Sequence, residues 1–352
     1  MKITTIGVDL AKNVFQVHGV DARGKAGLKK QLKRAQVLPF FANLAPSPIG
    51  MEACAGAHYW ARKLEGLGHT VKLMPPQYVK PYVKSNKNDA ADAEAICEAV
   101  GRPNMRFVPI KSASQQAILA VHRARQAMVK ARTAQANQIR GLLGEFGIVI
   151  PVGIASIGRR LPDILEDGDN ELPGSFRELL SRLQDNLEWL QRQVDELQGQ
   201  IARWHHDSEA SQRLAQIPGI GVLGASALVA SVGDATCFER GRQMSAWLGM
   251  VPKQASSGGK TTLLGMSKRG DCYVRTLLIH GARSVVAQAV RQPARADAWL
   301  RALLARRPKN VVAVALANKN ARIAWALLRH ARGYDPQFAT AASKVSAGVA
   351  VQ

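Results

Sequence analysis

Aromatic side chains supply only 5% of the 352 residues, and the basic stretches have no strong Trp or Phe face with which to enter a lipid surface. No apolar run approaches the roughly 20 residues that span a bilayer, so no membrane partner is expected. The four cysteines, Cys54, Cys97, Cys237 and Cys272, lie far apart and show neither metal-type nor disulfide-framework spacing. The opening MKITTIGVDL meets an acid too early to hold a secretory apolar region, so a reducing cytoplasm is the expected compartment. Acid is the most telling shortage. Asp and Glu number 26 against 48 Lys and Arg, which leaves a net charge of +22 that a polyanion would neutralise.

The excess is uneven along the chain. No acid occurs over residues 99–144, which carry Arg102, Arg106, Lys111, Arg123, Arg125, Lys130, Arg132 and Arg140. A second acid-free stretch, 298–334, carries Arg301, Arg306, Arg307, Lys309, Lys319, Arg322, Arg329 and Arg332. A solvated face normally mixes signs, so both stretches predict contact with nucleic-acid backbone, and with it a nucleoid-associated protein.

Apolar residues at 47% exclude global disorder, and the length exceeds the roughly 250 residues at which single cores stop growing. The first hundred residues read as α/β with a mixed sheet that starts on a hairpin: strands over 3–20, a possible third near 27–32, and a helix around 35–44. SPIGMEAC follows as a strand, AHYWARKLEGLG as a helix ended by Gly68, HTVKLM as a strand and NDAADAEAICEAV as a helix. Residues 112–144 predict one long basic helix, and GIVIPVGIASIG a linker. Phe176, Leu180, Leu183, Leu187, Leu190, Val194, Leu197, Ile201 and Trp204 then step by four and three as a heptad seam, with Ser175 and Glu178 as a capping box. Such a seam predicts a coiled coil that joins subunits as a dimer or tetramer. IPGIGVLGASALVASVGD, with Gly219 and Gly221 between two helical patterns, resembles a helix-hairpin-helix turn. The expected domains are 1–148, a catalytic α/β domain with the basic helix; 149–208, linker and coiled coil; 209–336, mainly helical; and 337–352, a low-complexity tail.

Within the first strand, Ile6, Val8 and Leu10 alternate with Gly7, Asp9 and Ala11, which sets a carboxylate opposite the large apolar side chains. Glu52 follows Gly50 by two residues, as Asp9 follows Gly7. Asp89 and Asp92, at i and i+3, share a helix face. Two strands and one helix thus present four acids, the oxygen set that a pair of divalent cations needs for in-line phosphoryl displacement. Acids in a first helical turn also favour the macrodipole, an alternative for Asp89 and Asp92.

GVDLAK, GMEA and NDAADA, in that order and spacing, resemble the DEDD catalytic set of a RuvC-like, or ribonuclease H-like, domain. SSGGKTTLLGMSKRGDCYVRTLLIHGA resembles the C-terminal serine domain of insertion-sequence transposases of the "one-ten" family, and ALANKNARIAWALL is similar to a closing motif of one of its subgroups. The resemblance implies that Asp9, Glu52, Asp89 and Asp92 bind Mg²⁺, two ions in all. It further implies an RNA-guided DNA recombinase that excises and inserts its element, guided by a structured noncoding RNA that pairs with donor and target DNA. Ser257, the serine before a glycine, occupies the place of the family's nucleophile, with Ser256 beside it and Ala255 where a larger residue is expected. Lys260, Lys268 and Arg269 would steady the phosphate. The competing readings are a Mg²⁺-dependent RuvC-like nuclease or junction resolvase without a covalent serine step, an actin-like sugar kinase, and a non-enzymatic nucleic-acid chaperone. The charge opposes the kinase, and the chaperone leaves the four acids unexplained.

Overall fold

The computed structural model describes residues 2–84 and 88–336, so the expected tail at 337–352 lies outside the described residues. The chain forms two compact units. One consists of residues up to Gln116 together with Val232–Cys237, the other of Ala117–Ser231 and the described residues from Phe238 onward.

The first unit is built on a five-stranded sheet of β1 (Thr5–Leu10), β2 (Val14–Val20), β3 (Ala26–Lys33), β4 (Pro48–Glu52) and β5 (Thr70–Met74), in the order β3-β2-β1-β4-β5. The first three strands run antiparallel as a meander, and β4 and β5 add parallel to β1. Parallel neighbours need crossovers, supplied by α1 (Val37–Ala42) and α2 (Ala57–Glu65). Ile6, Val8, Ile49 and Met51 bury one sheet face against Phe41, Trp60 and Leu64 of those helices. After the short α3 (Pro76–Val79), α4 (Asp89–Val100) covers the opposite face, with Ile96, Ala99 and Val100 buried beside Met74 and Val79. The alternation of patterns predicted a mixed sheet of this kind, and the sheet is compatible with the RuvC-like domain that the resemblance implies. Gly68 does end the α2 segment in left-handed geometry, with φ of 89°.

The second unit is largely helical: α5 (Ala113–Gly144, shared at its first turn with the first unit), α6 (Ile154–Glu166), α7 (Gly174–His206), α8 (Glu209–Ala215), α9 (Val222–Val232) and α10 (Gly241–Trp247). A hairpin of β6 (Pro252–Ser257) and β7 (Lys260–Met266) precedes α11 (Cys272–Arg291), α12 (Ala298–Leu304) and α13 (Lys309–His330). By length and composition α13 could cross a bilayer, but Val312, Ala313, Leu316, Ala317, Ala321 and Ala324 are buried where it packs on α10 and α11.

Two expectations change here. Residues read as a linker include α6, whose Ile157, Leu161 and Ile164 are buried at helical spacing despite Pro162. The heptad seam is covered within the chain. Gln135, Arg132 and Arg125 of α5 bond Asn186, Gln191 and Gln198 of α7 in opposite order along the two helices, which makes the pair antiparallel. Leu180 and Leu187 pack with Ala136, Ile139 and Leu143 of α5 and with Ile157 and Leu161 of α6, and Ile201 packs near Ile118. Within one chain the stripe thus already has partners on neighbouring helices, and burial there produces this periodicity as readily as a subunit seam does. α7 also begins at Gly174 with Pro173 as its cap, ahead of the expected Ser175 box.

Candidate active site

Asp9 lies near the end of β1 and Glu52 closes β4. Val8 pairs with Met51 in parallel register, so the next step along both strands sets Asp9 level with Glu52. Strand alternation puts Asp9 on the face of Gly7, and Glu52 on the face of Gly50. That face belongs to α4. A β-carbon at Gly7 would collide with the Ala93 carbonyl and the Cys97 amide of α4, and one at Gly50 would come within 2.7 Å of the Val100 β-carbon. The glycines therefore make room for the helix, not for a pocket. Their close approach brings the first turn of α4, capped by Asn88 through the Ala90 amide, over the carboxyl end of β1.

Asp9, Asp89 and Asp92 consequently present carboxylate oxygens within 4.8 Å of one another, with Asp9 and Asp92 half-buried and Asp89 exposed. Glu52 joins them electrostatically: burial first, then the charges of Asp9 and Asp92, pushes its carboxyl above the usual range. The same field reaches Cys54, whose thiol is pushed up by burial and then by Glu52 and Asp9. The other acids of α4 behave differently. Glu98 is paired with Lys84 at 3.1 Å and Arg102 at 2.6 Å, and Glu94 meets Lys84 at 4.0 Å. Among the described residues no lysine or arginine forms an ion pair with Glu52, Asp89 or Asp92. A macrodipole role for Asp89 and Asp92 would not require Asp9 to meet them, whereas three hard oxygen donors gathered on one spot, with Glu52 outside that group but within its field, fit a divalent cation.

The glycine-rich segment around SSGGK is a hairpin of β6 and β7. Gly258 and Gly259, with φ of 54° and 77°, form a two-residue turn of the kind that favours positive φ at both positions. Ser257 pairs with Lys260 across that turn, so the serine stands at the tip with the ammonium group's chain beside it. The signal was legible in QASS-GG-KTTLL, two β-capable runs separated by Gly-Gly. The two serines differ: the Ser256 hydroxyl accepts from Gln254 Nε2 at 2.9 Å, whereas the Ser257 hydroxyl has no intramolecular partner among the described residues. Ala255, two residues back on the Ser257 face, leaves that face open. Lys268 and Arg269 are exposed but lie past the hairpin base at the Met266 end of β7, itself about 20 Å of strand from Lys260, and are not brought to the serine. Sequence reasoning missed what fixes this base. Arg275 of α11, 8% exposed, donates to the Leu248 carbonyl at 3.1 Å and to that of Arg269 at 3.3 Å.

On α5 the basic residues divide. Arg125 bonds Gln198, Arg132 bonds Gln191, and Arg140 donates to the Gly153 carbonyl at 2.6 Å, so these three are half-buried ties within the unit. Arg123 and Lys130 are exposed.

Residues 6–148 match a transposase family of the DEDD type, and residues 211–304 match the family described as transposase IS116/IS110/IS902. A probable family 20 transposase of Pseudomonas aeruginosa is 53% identical over 337 residues, 96% of this chain and 100% of the relative. The transposase for insertion sequence element IS1328 of Yersinia enterocolitica is 46% identical, covering 92% of this chain and 96% of its own length. That for IS1111A of Coxiella burnetii is 44% identical, covering 94% and 91%. Acids placed by two strands and a helix, and a serine hairpin carried by a helical unit, thus fall in the two regions that these matches cover, and the chain belongs to the IS116/IS110/IS902 family of transposases.

Proposed function

We propose that this transposase excises and inserts its insertion sequence as an RNA-guided recombinase, with Ser257 as covalent nucleophile and Asp9, Glu52, Asp89 and Asp92 as ligands of two Mg²⁺ ions. The observation that carries the reading is the convergence of Asp9, Asp89 and Asp92 within 4.8 Å, with Glu52 in the same field. Two Mg²⁺ ions bound there supply the positive charge that phosphoryl displacement needs. The Ser257 oxygen attacks a DNA phosphorus: its new ester bond forms as the bond to the departing strand oxygen breaks, the serine proton leaves, and the departing oxygen gains one. Attack by a strand hydroxyl reverses these changes and frees the serine. One phosphoester replaces another, so rejoining needs no external energy source. Lys260 opposite Ser257 neutralises the phosphate, and the Gly258–Gly259 turn keeps bulk away from the approaching strand. Exposed Arg123 and Lys130 contact nucleic-acid backbone, and the α8–turn–α9 unit acts as a helix-hairpin-helix element.

Guide RNA is supported by the family resemblance and by the +22 charge, which suits more than one polyanion at once. RNA that co-purifies with the chain and pairs with both element flank and target is the expected finding. A second reading, a RuvC-like nuclease or resolvase, is favoured by one fact: the acids assemble within the first unit alone. Denaturing electrophoresis with labelled element-end DNA separates the two. The recombinase gives a protein–DNA band that Ser257→Ala removes and Ser256→Ala retains, and Asp9→Asn abolishes strand cleavage. Cleavage without any such band supports the nuclease. Mixing Asp9→Asn with Ser257→Ala chains tests whether one site draws on two copies, with restored activity as the positive result.

A further inference from the structure

An open notch of about 280 Å³ lies where α11 meets the start of α13, lined by Arg283, Ala287, Val290 and Arg291 of α11 and by Lys309 and Asn310 of α13. Helical spacing of three, four and eight residues sets the four α11 residues on one face. Arg283, Arg291 and Lys309 are exposed, and none of their side chains has an ion pair or hydrogen bond among the described residues. Three unpaired cations around one notch repel each other unless an anion is shared.

Among the described residues, the two helices that line the notch offer no anion. Neither α11 nor α13 contains an acid, and Asp297, between them in sequence, is engaged by Lys319 at 3.4 Å, whose ammonium also lies 4.5 Å from the Trp299 ring. The floor is apolar, with Val290 40% exposed. Eight residues separate Arg283 from Arg291, about 12 Å along a helix, a span that covers several phosphates of a strand at roughly 3.4 Å of axis each. A single phosphate would leave one end of the stripe unsatisfied. We infer that this notch is a phosphodiester-backbone site: Arg283, Arg291 and Lys309 clamp consecutive phosphates of one nucleic-acid strand while Ala287 and Val290 meet its sugar face. The inference rests on the reading of the chain as a nucleic-acid strand-transfer enzyme, but on neither Ser257 nor the acids.

Binding of full-length protein to 20-nucleotide single-stranded DNA, duplex DNA and single-stranded RNA, measured over a salt series, tests it. Arg283→Gln with Arg291→Gln should flatten the salt dependence of log K by about two and weaken binding roughly tenfold near physiological salt for at least one strand type. The strand type that responds identifies the ligand, and an equal response in all three marks a backbone reader. The Lys pair, Arg283→Lys with Arg291→Lys, should keep the slope. Arg159→Gln with Arg160→Gln, exposed charges of α6, controls for loss of net charge. A salt slope for the Gln pair no flatter than that control overturns the site while leaving the enzyme reading intact. Wild-type protein that binds none of the three strands overturns both.

Discussion

Gly7 decides where the acids meet, because its missing side chain is what allows α4 to touch β1. Gly7→Ala puts a β-carbon against the α4 backbone, which has no rotamer with which to yield. The expected loss is about 1–3 kcal/mol, together with loss of DNA cleavage as Asp89 and Asp92 move away from Asp9. Gly141→Ala in α5, where an added β-carbon meets nothing within 4 Å, should instead stabilise by about 1 kcal/mol. Thermal melting of both variants checks the contrast. His122 supplies a pH-dependent test. It is 1% exposed, with Nδ1 3.0 Å from the Tyr273 hydroxyl and Nε2 3.1 Å from Ser226 Oγ, and burial followed by the Arg125 charge lowers its pKa to about 4. Ser226 already donates to the Val222 carbonyl at 2.6 Å, so it accepts from a neutral imidazole. The unfolded chain binds this proton near pH 6.5 and the folded chain only near 4. Stability is therefore intact above 6.5, falls as pH drops through that window, and levels off below it, by about 3 kcal/mol in total. Denaturant melts at pH 7 and pH 5 should show the loss, and His122→Gln should reduce it. The four acids were legible because each broke a local pattern: a charge in an apolar strand, a Gly-x-acid repeat, two acids on one helix face. His122 was not, since a lone histidine in a basic helix looks like its neighbours.

Elements were legible where one periodicity ran without interruption and ambiguous where two explanations share it. Alternation in GVDL and PIGME yields β1 and β4, and the Gly68 stop after α2 appears where expected. Pro162 and two nearby glycines masked α6, although Ile157, Leu161 and Ile164 carry its stripe. The α7 heptads were plain to see, but their partner was not: a seam buried on α5 and α6 and one buried on another subunit have the same sequence. Leu187→Lys with Val194→Lys distinguishes them. Leu187 and Val194 are 4% and 3% exposed within one chain, so buried ammonium groups should lower the melting temperature sharply, through collapse of the second unit and not through a change in assembly. A dissociated but fully folded protein would contradict that assignment.

At the scale of the whole molecule, sequence order conveyed more than distance. DEDD acids, basic helix and serine segment follow one another along the chain, and the structure assigns the acids to the first unit and Ser257 to the second. The net charge of +22 was read as phosphate contact throughout. In the structure it has two uses, since Arg125, Arg132, Arg140 and Arg275 bond within the protein while Arg123, Lys130 and the notch cations stay exposed. Composition cannot separate a structural guanidinium from a binding one; the position of a neighbouring carbonyl or amide does. The chemistry proposed for the chain needs both units, and a covalent link between them and DNA is its most specific mark. Peptide mass spectrometry of wild-type protein, incubated with element-end DNA and Mg²⁺, denatured, and digested with protease and nuclease, measures that mark directly. A residual nucleotide mass on Ser257, absent from Asp9→Asn protein, is the expected result. Cleaved DNA with no nucleotide mass on Ser257, or with the mass on Ser256, would contradict the account.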